Sequence, residues 1–221
     1  MLFFRGTLEH LGEPSKICSI VNSSIICRLF QRNKGAQAHL AYNIHTHCHR
    51  FAAWAASRAA SVSPVCRFTV ETGKKLLESI GLNDADLKTP EALPDHETID
   101  LVHRQWRDTM LRNANDEGLP TFTHGVAAKL INVYLKCRFV CGGYVEHPKV
   151  QCLHPPIDSL LLTSLAKEKQ FIDQSKVFDE ARKQRWSNFN SDEYEKVIHA
   201  LKLALKGAPL WHAEEFWKGN R

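Results

Sequence analysis

From Tyr42 onward, apolar residues recur three and four positions apart, and the two-residue alternation of a half-buried strand is nearly absent. A chain patterned in this way has to bury helix faces against one another, so the expected class is all-α. The stretch HRFAAWAASRAASV sets Phe51, Trp54, Ala55 and Arg58 at helical spacing, and Pro64 closes it. TVETGKKLLESIGL opens on Thr69, carries Leu76, Leu77 and Ile80, and stops at Gly81. Farther on, Ile99, Val102, Trp106 and Met110 mark a third helix, with Asp95 as its expected cap. A fourth is expected from about Val126 to Val140, ended by Gly142 and Gly143, and a fifth from near Asp158 with leucines at 160, 161, 162 and 165. In the last long helix Ser191 is the expected cap, Tyr194, Val197, Ile198, Leu201 and Leu205 share a side, and Gly207 ends it. No internal repeat is visible.

Residues 1–37 lack a sustained period and are expected to form an arm, with a helical domain over 38–221. With 221 residues and 43% hydrophobic content, the chain can build one sizeable core or two small lobes sharing a cleft. Its 29 basic residues against 24 acidic ones give a net charge of +5, which suits a polyanionic partner but is common among enzymes. Seven cysteines, an odd and scattered set, do not make the dense framework of a small secreted domain, so an intracellular location is expected. The opening residues lack the pattern of a signal peptide, and no window approaches the roughly 18 apolar residues of a membrane span. A monomer with no membrane partner is the expectation.

Lys129 lies near the expected start of its helix, where the backbone dipole disfavours a cation by about 0.3 to 1 kcal/mol. A lysine there is either an ordinary helix residue whose stem covers apolar surface, or an amine whose pKa is lowered by dipole and burial for use as a nucleophile. Asp158 follows Pro155, Pro156 and Ile157 and precedes an apolar helical run, which is the grammar of an N-cap. Capping is compatible with chemistry, because a carboxylate held by backbone N–H groups is a rigid electrostatic catalyst.

Gly125-Val126-Ala127-Ala128-Lys129 at one helix start and Pro156-Ile157-Asp158 at a later one resemble the active-site layout of the helix-hairpin-helix DNA glycosylases, in particular the bifunctional 8-oxoguanine DNA glycosylases. The resemblance is close over about Pro120 to Leu165 and extends to the other helices only by type. Two departures are Ala127 and His124, where the family usually has a second glycine and a proline; the spacing of 29 residues between Lys129 and Asp158 is that of the family's longer, archaeal-type members. The resemblance implies a two-lobed helical fold and base excision from damaged double-stranded DNA, with an oxidised purine as the target and no cofactor. It implies that Lys129 attacks the sugar to form a Schiff base and that Asp158 stabilises the developing cation. It also implies that Gly125, Val126 and Ala127 offer amides to a DNA phosphate, and that one of Trp211, Phe216 and Trp217 stacks on the extruded base. Lys136 is the rival nucleophile.

Two further readings stand beside this one. The same fold could serve as a non-catalytic nucleic-acid-binding or protein-interaction module. A metal-dependent enzyme could use His45, His47, Cys48 and His49, or Cys137, Cys141, Cys152 and His154, although neither cluster has the paired C-x2-C spacing of a zinc site, and no metal is expected. The basic run Lys176, Arg182, Lys183 and Arg185, interrupted by Asp179 and Glu180, reads as a solvated helix face.

Overall fold

The computed structural model describes residues 42–219, and the expectations for the arm over 1–37 lie outside the described residues. The described residues are helical, with no strand among them. The α-helices are α1 (Ile44–Ala60), α2 (Val70–Glu78), α3 (Ile99–Asp116), α4 (His124–Leu135), α5 (Pro148–Gln151), α6 (Ser159–Leu165), α7 (Ser175–Gln184) and α8 (Ser191–Leu205). A π-helical turn, Lys136–Val140, continues α4 without a break, and short 3₁₀ turns cover Pro90–Ala92, Lys169–Phe171, Trp186–Asn188 and Leu210–Phe216.

Helix α4 is the hub. Every one of its residues except His124 and Val133 is buried, which the run of apolar residues on all its faces requires. It packs most extensively on α1 and also meets α2, α3, α8 and the turn Trp186–Asn188. A second group, α6, α7, α8 and Leu210–Phe216, packs within itself. Gly125 fixes how closely α4 approaches the Trp186–Asn188 turn. A Cβ at that position would sit 1.8 Å from the Trp186 carbonyl oxygen, so only glycine fits, and the Gly125 N–H donates to the Phe189 carbonyl at 3.1 Å.

Helix starts follow cap chemistry, with three adjustments to the expected boundaries. Thr69 accepts from the Thr72 N–H at 3.1 Å, as its sequence position implies. Helix α4 begins two residues before Val126, because Thr123 accepts from the Val126 N–H at 3.1 Å. Asp95 does not cap α3; its carboxylate pairs with Lys149 at 3.1 Å while Thr98 precedes the helix. For α8 the cap is Asn190 rather than Ser191, since Asn190 and Glu193 form a reciprocal capping box.

A buried polar chain ties α3, α4, α8 and the Pro155–Asp158 segment together. His103 Nε2 lies 2.8 Å from Asn132 Oδ1, and Asn132 Nδ2 donates to Tyr194 Oη at 2.9 Å and to the Pro155 carbonyl at 3.0 Å. His154 Nδ1 lies 3.0 Å from Tyr194 Oη and its Nε2 2.9 Å from Asp100. Burial holds the His103 and His154 imidazoles below the ordinary histidine range, so both are neutral, although Asp100 pulls His154 the other way. The consequence for function is positional: Asn132, three residues after Lys129 on the same helix, fixes the backbone three residues before Asp158.

Candidate active site

Lys129 is the sixth residue of α4, in its second turn rather than its first as the sequence suggests. The dipole therefore contributes little, since its effect fades within the first turn. Burial does the work instead. Only 8% of Lys129 is exposed, and desolvation pushes its ammonium pKa below the ordinary lysine value, while the nearby Asp158 carboxylate opposes that shift. The Lys129 Nζ stands 3.1 Å from Asp158 Oδ2 and 5.7 Å from the centre of the Trp186 ring.

Asp158 divides its two oxygens between structure and site. Oδ1 accepts from the Leu161 N–H at 2.9 Å, which makes Asp158 the N-cap of α6. Oδ2 faces Lys129 and also accepts from the Trp217 indole N–H at 3.0 Å. A carboxylate with three donors around it is fixed in rotation, so the helix cap aims the second oxygen at the amine. The oxygen that caps α6 and the oxygen that faces the amine are thus two atoms of one side chain.

The pair opens into a cleft of about 390 Å³ whose walls include Ala59, Val62, Val133, Trp186 and Trp217. Lys136 lies in the same cleft and forms an ion pair with Glu214, so the rival nucleophile also has a carboxylate partner. Asp158, Lys129, Glu214 and Lys136 make two ion pairs of alternating charge, and Glu214 adds to the field at Lys129. The arrangement can hold an amine close to a proton acceptor and bind a flat ring beside it.

The three aromatic candidates separate. Trp217 borders the cleft, 38% exposed, with its N–H given to Asp158. Phe216 packs edge-on against Phe171, with ring centres 5.0 Å apart, and lies partly buried against the core. Trp211 lines an adjoining cavity of about 420 Å³ with Lys136 and Glu214. Trp186 was missed by the sequence reading. It follows Arg185, whose φ of 70° turns the chain sharply, and no periodic pattern marks the ring that ends above Lys129.

The expected phosphate cradle is a correction. Gly125, Val126 and Ala127 are buried, and their N–H groups already donate to the Phe189 carbonyl, the Thr123 hydroxyl and the Thr123 carbonyl. Such amides have no capacity left for a phosphate. What the sequence offers as a ligand-binding glycine is a packing glycine. Among the described residues no three His, Cys, Asp or Glu side chains converge as a metal set, and His154 is engaged with Tyr194 and Asp100. Arg182 and Lys183 both pair with Asp179 at 2.7 and 2.6 Å, as a solvated face would. No helix among the described residues is long and apolar enough to cross a membrane.

No family profile, curated protein or solved structure matches this chain.

Proposed function

We propose that this protein is a DNA glycosylase with lyase activity, built on a two-lobed helix-hairpin-helix glycosylase-like fold, and that it excises a damaged base, an oxidised purine by preference. The observation that carries the reading is the contact of 3.1 Å between Lys129 and Asp158 at a cleft bordered by two indole rings. A stacked base hides its sugar carbon, so the nucleotide is extruded at a cost of a few kcal/mol, and flat aromatic walls repay part of that cost.

The chemistry balances with these two residues alone. A proton moves from the Lys129 ammonium to Asp158, and the freed lone pair attacks the anomeric carbon of the sugar. The bond from that carbon to the base nitrogen breaks, its electron pair leaves with the base, and the base takes a proton from the new adduct. Asp158 then returns its proton to the ring oxygen as the sugar opens, leaving a protonated Schiff base on Lys129 and a carboxylate beside it. Lowering of the lysine pKa by burial eases the first transfer. The test is reductive trapping with borohydride on duplexes that each carry one lesion. A covalent complex is expected with the natural chain and none with Lys129→Gln; a Lys129→Gln complex of undiminished yield would move the nucleophile to Lys136.

One observation favours a second reading, a non-catalytic binding module on the same fold. The Lys129–Asp158 pair is hydrogen-bonded, capped and largely buried, as a purely structural ion pair would be. Absence of base release and of trapping across a broad lesion panel would select it.

A further inference from the structure

Helix α1 has two faces of different character. Ala52, Ala53, Ala56 and Ala60 are buried, which is why α1 can lie close along α4. The opposite stripe, at spacings of three, four and seven, carries Ile44, Phe51, Trp54 and Arg58, and all four are exposed. Phe51 is 58% exposed and Trp54 52%, with their rings 5.9 Å apart. Val62, 65% exposed just past the helix end, continues the stripe. Ala59 and Val62 are themselves walls of the Lys129 cleft, so the aromatic stripe runs to the rim of that cleft.

Charge chooses among the partners that could cover such a surface. Within Ile44–Ala60 there are two arginines, three histidines and no aspartate or glutamate. A second copy docking through the same face would bring no carboxylate to Arg58, and a convex helix offers no groove for a peptide. Exposed rings next to a cation fit the alternation of base and phosphate in a nucleic-acid strand. Bases stacked inside a duplex cannot lie on Phe51 or Trp54, whereas unpaired ones can.

We infer that the Phe51–Trp54–Arg58–Val62 face of α1 binds unpaired nucleotides of a DNA strand and guides them to the Lys129–Asp158 cleft. The destination rests on the glycosylase reading; the strand-binding surface does not. Phe51 and Trp54 are stacking platforms and Arg58 receives a phosphate. The strand nearest the extruded nucleotide is the natural occupant, since pairing is already lost there.

The experiment measures fluorescence anisotropy of a labelled oligothymidylate and of a blunt duplex of equal length, using the full chain. The natural protein is expected to prefer the single strand. Phe51→Ala with Trp54→Ala should weaken single-strand binding at least tenfold, about 1.4 kcal/mol, with a smaller effect on the duplex. Arg58→Met should weaken binding and flatten its salt dependence. Both variants alter exposed side chains, so an unchanged melting curve verifies the fold. Equal single-strand affinity for the double variant and the natural chain overturns the inference, as does a dimer in sedimentation that the double variant dissociates, because a second copy then occupies the face. Lys129→Gln should bind the single strand like the natural chain. Single-strand binding lost in the double variant without any lesion trapping by the natural chain upholds this surface and refutes the glycosylase reading. Trapping with unaltered single-strand affinity in the double variant does the reverse.

Discussion

Replacing Asp158 by asparagine should separate the two tasks of that side chain. Asparagine is as good an N-cap as aspartate, so the bond from the Leu161 N–H survives. What is lost is the charge opposite Lys129, together with an acceptor for the Lys129 ammonium and the Trp217 indole N–H. Lys129 then has to remain charged in a site where its side chain is 9% exposed, or give up its proton. Giving up the proton sets a ceiling: from an ordinary lysine pKa of about 10.4 down to pH 7, at about 1.36 kcal/mol per unit, the cost is about 4.6 kcal/mol. Breaking a buried pair by removing one partner costs about 3 to 5 kcal/mol, in the same range. The loss should shrink as pH rises, because the unfolded lysine binds a proton that the folded one resists, and stability then increases toward pH 10. Urea unfolding at pH 7 and pH 9.5 reads this directly. The double variant Lys129→Met, Asp158→Asn should recover much of the loss, since no buried charge remains. A loss below about 1 kcal/mol that does not change with pH would place the pair in the class of screened surface bridges and refute the argument.

The packing and the buried polar chain lead to three other expected outcomes. Gly125→Ala drives a Cβ into the Trp186 carbonyl and should cost about 3 kcal/mol or more, seen as a lower urea midpoint; an unchanged midpoint would mean that α4 and the Trp186 turn separate easily. Tyr194→Phe leaves an Asn132 N–H and His154 Nδ1 without a partner in the core and should cost about 1 to 3 kcal/mol by denaturant titration, whereas a neutral result would require a water in place of the hydroxyl. Because His103 and His154 are held neutral by burial while unfolded histidines titrate near pH 6.5, stability should fall as pH drops below about 6.5, by up to about 1.4 kcal/mol per pH unit for each. A melting temperature that is flat from pH 7.5 to 5 would contradict that assignment.

Local grammar carried the sequence reading where a single helix start decided the matter. Asp158 before an apolar run and Thr69 three residues before Thr72 are caps because their neighbours in the chain make them so. The all-helical class came from periodicity in the same way. Proximity across the chain was not written in any window. The purpose of Gly125 depends on the carbonyl of a residue 61 positions later, so a glycine near a helix start reads equally well as an anion site or a packing site. Trp186 reaches Lys129 through a positive-φ turn at Arg185, where arginine gives no warning of such a conformation. His154 shows the opposite failure: by composition it groups with Cys137, Cys141 and Cys152 as a metal-ligand alternative, and it becomes a neutral hydrogen-bonding core group once Tyr194 arrives from another helix.

The π-helical turn at Lys136–Val140 bears on how the chain tolerates insertion and deletion. Such a turn holds one residue more than an α-helix needs to cover the same height. Deleting one residue from within it would restore an ordinary α-helical ladder and leave the residues beyond the deletion close to their original phase, whereas the same deletion in a regular α-helix would rotate them by about 100°. Lys129 lies before the turn and keeps its register, and Arg138, whose guanidinium reaches the His45 and Leu87 carbonyls, is the residue of the turn that has to stay. The turn therefore takes up one residue of length change without re-phasing the helix, and the amine facing Asp158 stays where it is.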